Sequence, residues 1–487
     1  MLINIKTSGS PQILIFPIEQ GEHFAERIAR VAERAGIDPS ILDTDFKGNA
    51  KEVHVLYTAT SSRIYLLGLG KNPRYNNFIS IFRSFFYKNK GRLTKSLGID
   101  FTSFEVDKVE AIVNGIVLGN NNLGNLHKTE KDQKADFYID NPQFEIYVDK
   151  KNIETADKLS EIGHQTALTQ HFILDLVNQP SNFKTPAMIA HFALKSGQKH
   201  GFETKIFDET ECKRQGLAAL LAVSKGSENP PVFIIMEYKP ENAVKKIGLV
   251  GKGVSFDTGG ISIKSSNGMS YMKSDMGGGA AVIGTMELVA KLKLPIHLIG
   301  IVPSTENTVD GNAIKPGFVI DSYAGKTIEV IDTDAEGRLI LADGLNYMAK
   351  NFEPEIMIDL ATLTGNIIAA LGYSAAGLFT NNQDLANDLL KAGTETGERL
   401  WQMPMFEEFG DAMKSDIADI KNLSSNPVGG AITATKFLEV FTDKHPAWAH
   451  LDIAGTAFGD SEYGSMKSAT AFGVNLLTRW MRNMVEH

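Results

Sequence analysis

Charge is concentrated among glycines in two stretches of this sequence. The first runs Gly251-Lys252-Gly-Val-Ser-Phe-Asp257-Thr-Gly-Gly-Ile-Ser-Ile-Lys264 and is soon followed by Met272-Lys-Ser-Asp275-Met-Gly-Gly-Gly. The second is Asp332-Thr-Asp334-Ala-Glu336-Gly-Arg338. Brought into one cleft, Asp257, Asp275, Asp334 and Glu336 would repel one another, and protonation or bound cations must relieve that repulsion. Divalent ions are the economical answer. Oxygen ligands suit magnesium, manganese or zinc without choosing among them. A shared carboxylate can bridge two ions roughly 3.5–4 Å apart, the arrangement that serves hydrolysis.

Other routes to chemistry fail. No histidine lies in an H-E-x-x-H pattern, and Gly325-Lys326-Thr327 lacks the upstream glycine of a phosphate loop. Each residue also has a bland reading. Asp257 suits an Asx turn, Lys252, Lys264 and Arg338 suit a solvated surface, and Met272 suits ordinary packing. Asp334 and Glu336 suit the N-terminus of a helix. The combination favours function, because so many charged groups among glycines at two strand ends seldom arise by chance.

The elements that must hold these residues alternate. Strands at Val232–Met236, Ile247–Val250, Ile296–Val302, Glu329–Ile331 and Glu355–Leu360 intersperse with helices over Gly278–Lys291 and Leu339–Lys350. This predicts an α/β fold with a mainly parallel sheet flanked by helices, whose ligands bind at the carboxyl ends of the strands. Upstream, strands at Ile13–Phe16, His54–Thr58, Ile64–Leu69 and Phe144–Val148, with helices around Phe78 and over Val106–Val117, predict a smaller α/β domain. The polar segment Asn120–Asp136 predicts a surface loop. A long helical pattern, Ile153–Val177, ends at Asn178-Gln-Pro-Ser-Asn182. The expected division is 1–150, a linking helix over 151–180, and a catalytic domain over 181–487.

With 487 residues, two cores are the natural arrangement. No stretch approaches the roughly 18 apolar residues of a membrane span, and MLINIKTSGSPQILIFPIEQ does not read as an export signal. The single cysteine, Cys212, permits no intramolecular disulfide and no thiolate cluster, which fits a reducing cytoplasm. The net charge of -9 disfavours general nucleic-acid or anionic-membrane binding. One local exception is Arg83, Lys88, Lys90, Arg92 and Lys95, beside Phe78, Ile79, Phe82, Phe85 and Phe86 at helical spacing, expected as an amphipathic helix with a solvated basic end.

In order and spacing these motifs resemble the leucyl aminopeptidase family, also called cytosol aminopeptidase or the M17 metallopeptidases. The likeness extends to Asn178-Gln-Pro-Ser-Asn182 with Thr185-Pro186, to Asp359-Leu-Ala-Thr-Leu-Thr-Gly365, and to Trp448-Ala-His450-Leu-Asp452-Ile-Ala-Gly455. It covers about residues 160–480, the N-terminal part matching in length and character alone.

What the resemblance implies is a two-metal aminopeptidase that removes leucine and other mainly apolar N-terminal residues, with a metal-bridging water as nucleophile. Lys252, Asp257, Asp275 and Glu336 would bind one ion and Asp257, Asp334 and Glu336 the other. The ions would be zinc or manganese, with magnesium or cobalt as substitutes. Lys252 can ligate only as the neutral amine, so its pKa must be depressed. Arg338 would hold a bicarbonate that helps deprotonate the water, and Lys264 would polarise the scissile carbonyl. The free amine of the peptide would meet a metal and Asp275. Met272, Thr362, Leu363, Gly365 and Ala454 would bind the substrate.

The resemblance further implies a cytoplasmic homohexamer acting on peptides. Departures from the family pattern are Asp332 for the usual Asn, Leu217-Ala218 for Met-Gly, Ala469 and Ala471 for glycines, and Ala457 at a position larger in some members. They bear on specificity, with Asp332 read as a turn residue. The rival readings are a DNA-binding regulator on the same scaffold, resting on the basic patch alone, and an inactive homologue, against which the full set of ligands argues.

Overall fold

The computed structural model describes residues 3–58, 62–93, 96–120, 144–426, 428–463 and 467–486. The chain divides into two compact units, Met1–His171 and Phe172–His487. The division falls inside one long helix, Ile153–Asn178. Beyond Asn120, the polar segment expected as a loop lies outside the described residues, as does Lys95. No helix among the described residues is long and apolar enough to cross a membrane.

The first unit is a six-stranded sheet in the order Ile3–Lys6, Phe144–Tyr147, Leu97–Asp100, Ile13–Gln20, Arg63–Lys71, Val53–Tyr57. All pairs are parallel except the last, where Val53–Tyr57 runs against Arg63–Lys71. The helix Tyr75–Asn89 buries Phe78, Phe82, Phe85 and Phe86, as its spacing predicts. Each such side chain stabilises the fold by about 1.5–3 kcal/mol. The basic end is less solvated than expected. Arg83 and Lys90 are buried and the Lys90 ammonium sits 4.9 Å from the centre of the Tyr87 ring. Among the described cations of this stretch, Lys88 and Arg92 remain exposed. Long aliphatic stems let such residues pack apolar surface while the charged tip finds partners.

The second unit carries a nine-stranded sheet. Its middle is parallel: Trp448–Asp452, Ile356–Ala361, Lys245–Gly251 and Ile296–Asn307 lie side by side in one direction. Ala376–Thr380 and Val232–Tyr238 join antiparallel on either side, and Gly253–Asp257 adds a short parallel strand beside the end of Ile296–Asn307. The central strands are continuous apolar runs, which a sheet covered on both faces requires. Helix Gly277–Lys291 packs on the sheet and against Val474–Val485, while helix Glu336–Phe352 packs against Ala218–Ser224 and Gly430–Glu439. Gly278 permits the closest of these approaches, since a Cβ there would lie 2.0 Å from the carbonyl oxygen of Leu360.

One expectation is corrected. The strand near Glu329–Ile331 does not join the central sheet. Thr327–Glu329 instead forms a three-stranded sheet with Val319–Asp321 and Ile420–Lys421. The turn at Gly325 folds Thr327–Glu329 straight back on Val319–Asp321, so a local hairpin claims its hydrogen bonds. The second acidic cluster therefore hangs between this small sheet and the helix Glu336–Phe352, not at a central strand end.

Candidate active site

The first cluster does sit at central strand ends. Lys252 follows Lys245–Gly251, Asp257 closes Gly253–Asp257, and Thr362 follows Ile356–Ala361. Asp275 stands between a short 3-10 turn, Met269–Ser274, and the helix Gly277–Lys291. Glu336 is the first residue of Glu336–Phe352 and the acid of its first turn, as the helix N-terminus favours, while the N-cap Ala335 makes no side-chain hydrogen bond.

These side chains converge. The Lys252 ammonium lies 2.8 Å from both Asp275 Oδ2 and Glu336 Oε1 and donates to the Thr362 carbonyl at 3.0 Å. Lys264 bridges Asp257 Oδ2, at 2.8 Å, and Asp334 Oδ1. Asp257, Asp334 and Glu336 each turn one carboxylate oxygen to a common point, all within 4.8 Å of one another. Asp257 does make the anticipated Asx turn, but with Oδ1, which accepts from the Gly259 N–H at 2.8 Å; Oδ2 is left for the cluster. Asp332 is likewise a turn residue, its Oδ1 accepting the Asp334 N–H at 2.9 Å.

The electrostatics fit cations. Four carboxylates outnumber the two ammoniums touching them, and Lys252, Asp257, Asp275 and Glu336 are all buried. Burial pushes the carboxyls of Asp275, Asp334 and Glu336 above the usual carboxylate range, and Asp257 adds to the shift in each. Burial alone would lower Lys252, yet Asp275, Glu336 and Asp257 together hold it raised. With only carboxylates around it Lys252 is thus an ammonium, and the neutral amine that ligation needs requires another cation to take over the charge balance. Asp275 Oδ2, Asp334 Oδ1 and Glu336 Oε1 are buried and are met by the lysine ammoniums, Lys252 for Asp275 and Glu336 and Lys264 for Asp334. Hard carboxylate oxygens gathered in this way, with cations as their partners, are the donor set of a divalent ion.

Around the centre, Arg338 is buried and donates to the carbonyl of Asn422 at 2.6 Å, while its Nε has no partner. Burial lowers its guanidinium to about 10. Asp275 Oδ1 accepts the Thr362 hydroxyl at 2.7 Å. Met272 lies half-buried on the 3-10 turn, which is pinned by Lys184: its fully buried ammonium donates to the carbonyls of Val177 and Lys273. Leu363 and Ala454 present their N–H groups to Asp452 Oδ1, both at 3.2 Å, and Thr364 donates its hydroxyl to Oδ2. Asp452 thereby ties together the loops bearing Thr362, Leu363, Gly365 and Ala454.

Sequence reasoning assigned no role to Asn307, Asn422 or Asp452. Asn307 pairs with Asp257 across neighbouring strands and donates to Asp257 Oδ1 at 2.8 Å and to the Thr333 carbonyl at 3.0 Å. Its signal is the polar run Ser304-Thr-Glu-Asn307 continuing an apolar strand, at the end where such sheets keep ligands.

Residues 171–478 match the model of the cytosol aminopeptidase family, catalytic domain, and residues 34–129 that of the same family's N-terminal domain. The chain belongs to the cytosol aminopeptidase family. A probable cytosol aminopeptidase of Chloroherpeton thalassium is 42% identical over 492 residues, covering 96% of each chain. Another, from Chlorobium limicola, is 39% identical over 505 residues, covering 99% of each. The structure of bottromycin maturation enzyme BotP in complex with Mn superposes with a TM-score of 0.83 at 27% identity, covering 98% of this chain and 100% of that one. As a member of the cytosol aminopeptidase family this protein is a metallo-aminopeptidase, and its fold of a smaller N-terminal α/β domain plus a sheet-centred catalytic domain is the family's.

Proposed function

We propose that this cytosol aminopeptidase works through two divalent ions held by Lys252, Asp257, Asp275, Asp334 and Glu336, with Asp257 and Glu336 shared, and releases apolar N-terminal residues from peptides. The observation that carries the reading is the convergence of Asp257, Asp334 and Glu336, whose carboxylate oxygens lie within 4.8 Å of one another. When bound, zinc or manganese would supply Lewis-acid activation of the carbonyl and of water.

The chain's own groups do the rest. Asp275 offers a carboxylate to the peptide's free ammonium, which restricts attack to the first residue. Lys264 reaches the centre from outside the strand ends and places positive charge where the carbonyl oxygen gains negative charge. Arg338 is a buried cation whose Nε lacks a partner, suited to holding a bicarbonate that accepts the proton from water. Thr362, Leu363, Gly365, Ala454 and Met272 frame the side-chain pocket. A cytoplasmic homohexamer belongs to the same reading and is supported by the likeness to the family alone.

Exhaustive chelation should abolish hydrolysis of a leucine anilide, and manganese, zinc or cobalt should restore it. Full turnover by protein shown to be metal-free would overturn the reading.

A further inference from the structure

Asn422 lies 84 residues after Arg338 in sequence, yet it touches Asp332, Ala335 and Arg338 of the second acidic cluster. It follows the two-residue strand Ile420–Lys421, which pairs with Thr327–Glu329, and it is fully buried. Its Oδ1 accepts the N–H of Ile331 at 2.7 Å and that of Asp332 at 3.3 Å. Its Nδ2 donates to the carbonyl of Asp332 at 2.6 Å and approaches that of Ala335 at 3.5 Å. Its own N–H goes to the Glu329 carbonyl at 2.9 Å, and its carbonyl takes the Arg338 guanidinium. The amide orientation is fixed, since flipping it would set N–H against N–H and carbonyl against carbonyl.

The side chain thus spans the loop that carries Asp334 and ends at Glu336, while its backbone holds Arg338. A buried amide with all its groups engaged is costly to build and rigid once built. A second tie of the same segment is different in kind: exposed Asp419 accepts the N–H and hydroxyl of Thr327 at 2.8 and 2.9 Å, well before the ligand loop.

We infer that Asn422 is a positioning residue that sets the Asp334–Glu336 loop for metal binding and couples it to Arg338. The inference rests on the two-metal reading above. Partners that orient metal ligands typically contribute 10- to 100-fold in affinity or activity.

The test is competitive titration with Mn²⁺ on the full chain, beside kcat and KM. Asn422→Asp keeps the size and turns both donated bonds into repulsions; Asn422→Ser removes them. Both should bind Mn²⁺ about 10- to 100-fold more weakly and lose a similar factor in kcat, with KM within about threefold. Asp419→Ala should lower Tm while holding Mn²⁺ affinity within about twofold of wild type. Because coupling is reciprocal, Mn²⁺ should slow amide exchange at Ile331 and Asp332 in the unmutated chain by about tenfold or more, a measurement that stands even if the variants do not fold. Folded Asn422 variants that bind Mn²⁺ like wild type, exchange unmoved by Mn²⁺, or an equal affinity loss in Asp419→Ala would overturn the inference alone. A wild-type chain that binds no Mn²⁺ at this centre would overturn the two-metal reading and the inference with it.

Discussion

Lys264 reaches the centre from a segment whose other large side chains face away. Ile261 and Ile263 are exposed, while the Lys264 N–H is fixed to the Thr258 carbonyl at 2.9 Å and its ammonium lies between Asp257 and Asp334. Burial would lower its pKa, yet Asp257, Glu336 and Asp334 hold it raised, so it is a fixed positive charge. Lys264→Ala should lower kcat by about 10²- to 10³-fold, the usual loss for a group that meets developing oxyanion charge. It should also lower the Tm of metal-free protein, where Asp257 and Asp334 would then face each other uncompensated, and do so far less in metal-loaded protein. A metal-loaded variant within about threefold of wild-type turnover, under 1 kcal/mol, would show that Lys264 is not the electrophile. The residue types were legible because Lys252, Asp257, Asp275, Asp334, Glu336 and Arg338 stand in dense, glycine-punctuated motifs. Asn307, Asn422 and Asp452 were not, because a lone Asn or Asp gains its meaning from a partner far away in sequence.

At the level of elements, the strand Lys245–Gly251 and the helix Glu336–Phe352 must bring a lysine and a glutamate together without colliding. Gly337 makes that possible: a Cβ there would lie 2.7 Å from both Cε and Nζ of Lys252. Alanine is the better helix former by up to about 1 kcal/mol, and the atoms it would meet belong to a flexible side-chain end. Gly337→Ala should therefore lower activity and metal content at least about tenfold, because Lys252 is driven off Asp275 and Glu336, and should lower the Tm of metal-free protein, because buried carboxylates left without their ammonium cost more than the helix gains. Thermal melts beside kinetics decide this, and full activity in the variant would show that the Lys252 position is not critical. The strands of the central sheet were readable as apolar runs between turn formers. Thr327–Glu329 was misplaced because a three-residue segment carries no sign of which sheet it will join.

Across the whole catalytic unit, distant segments close on one another through single polar groups. Glu398 Oε2 accepts the N–H of Gly473 at 3.2 Å and of Leu476 at 2.7 Å, capping the C-terminal helix Val474–Val485, whose N-cap Gly473 has no side chain for the purpose. Burial pushes this carboxyl up to about 7, while the two N–H groups oppose the shift. A carboxyl raised in the folded state stabilises the fold below its unfolded value of about 4.3, and that stability is lost as pH rises through about 7. One oxygen takes both bonds, so glutamine can replace the protonated acid. The Tm of Glu398→Gln relative to wild type should climb by a few degrees between pH 5 and pH 8; a flat or falling difference would mean that the carboxylate is stably charged. By itself the sequence determined the reaction family, the α/β class and the charged residues at the centre, because periodicity and short motifs are local properties of the chain. Only the tertiary structure decided that the second cluster rides on a separate small sheet, that Arg83 and Lys90 are buried, and that Asn307, Asn422 and Asp452 hold the site in shape. Asn307 meets Thr333 26 positions away, Asn422 meets Asp332 90 away and Asp452 meets Leu363 89 away, and no local pattern records which distant segment will supply the partner.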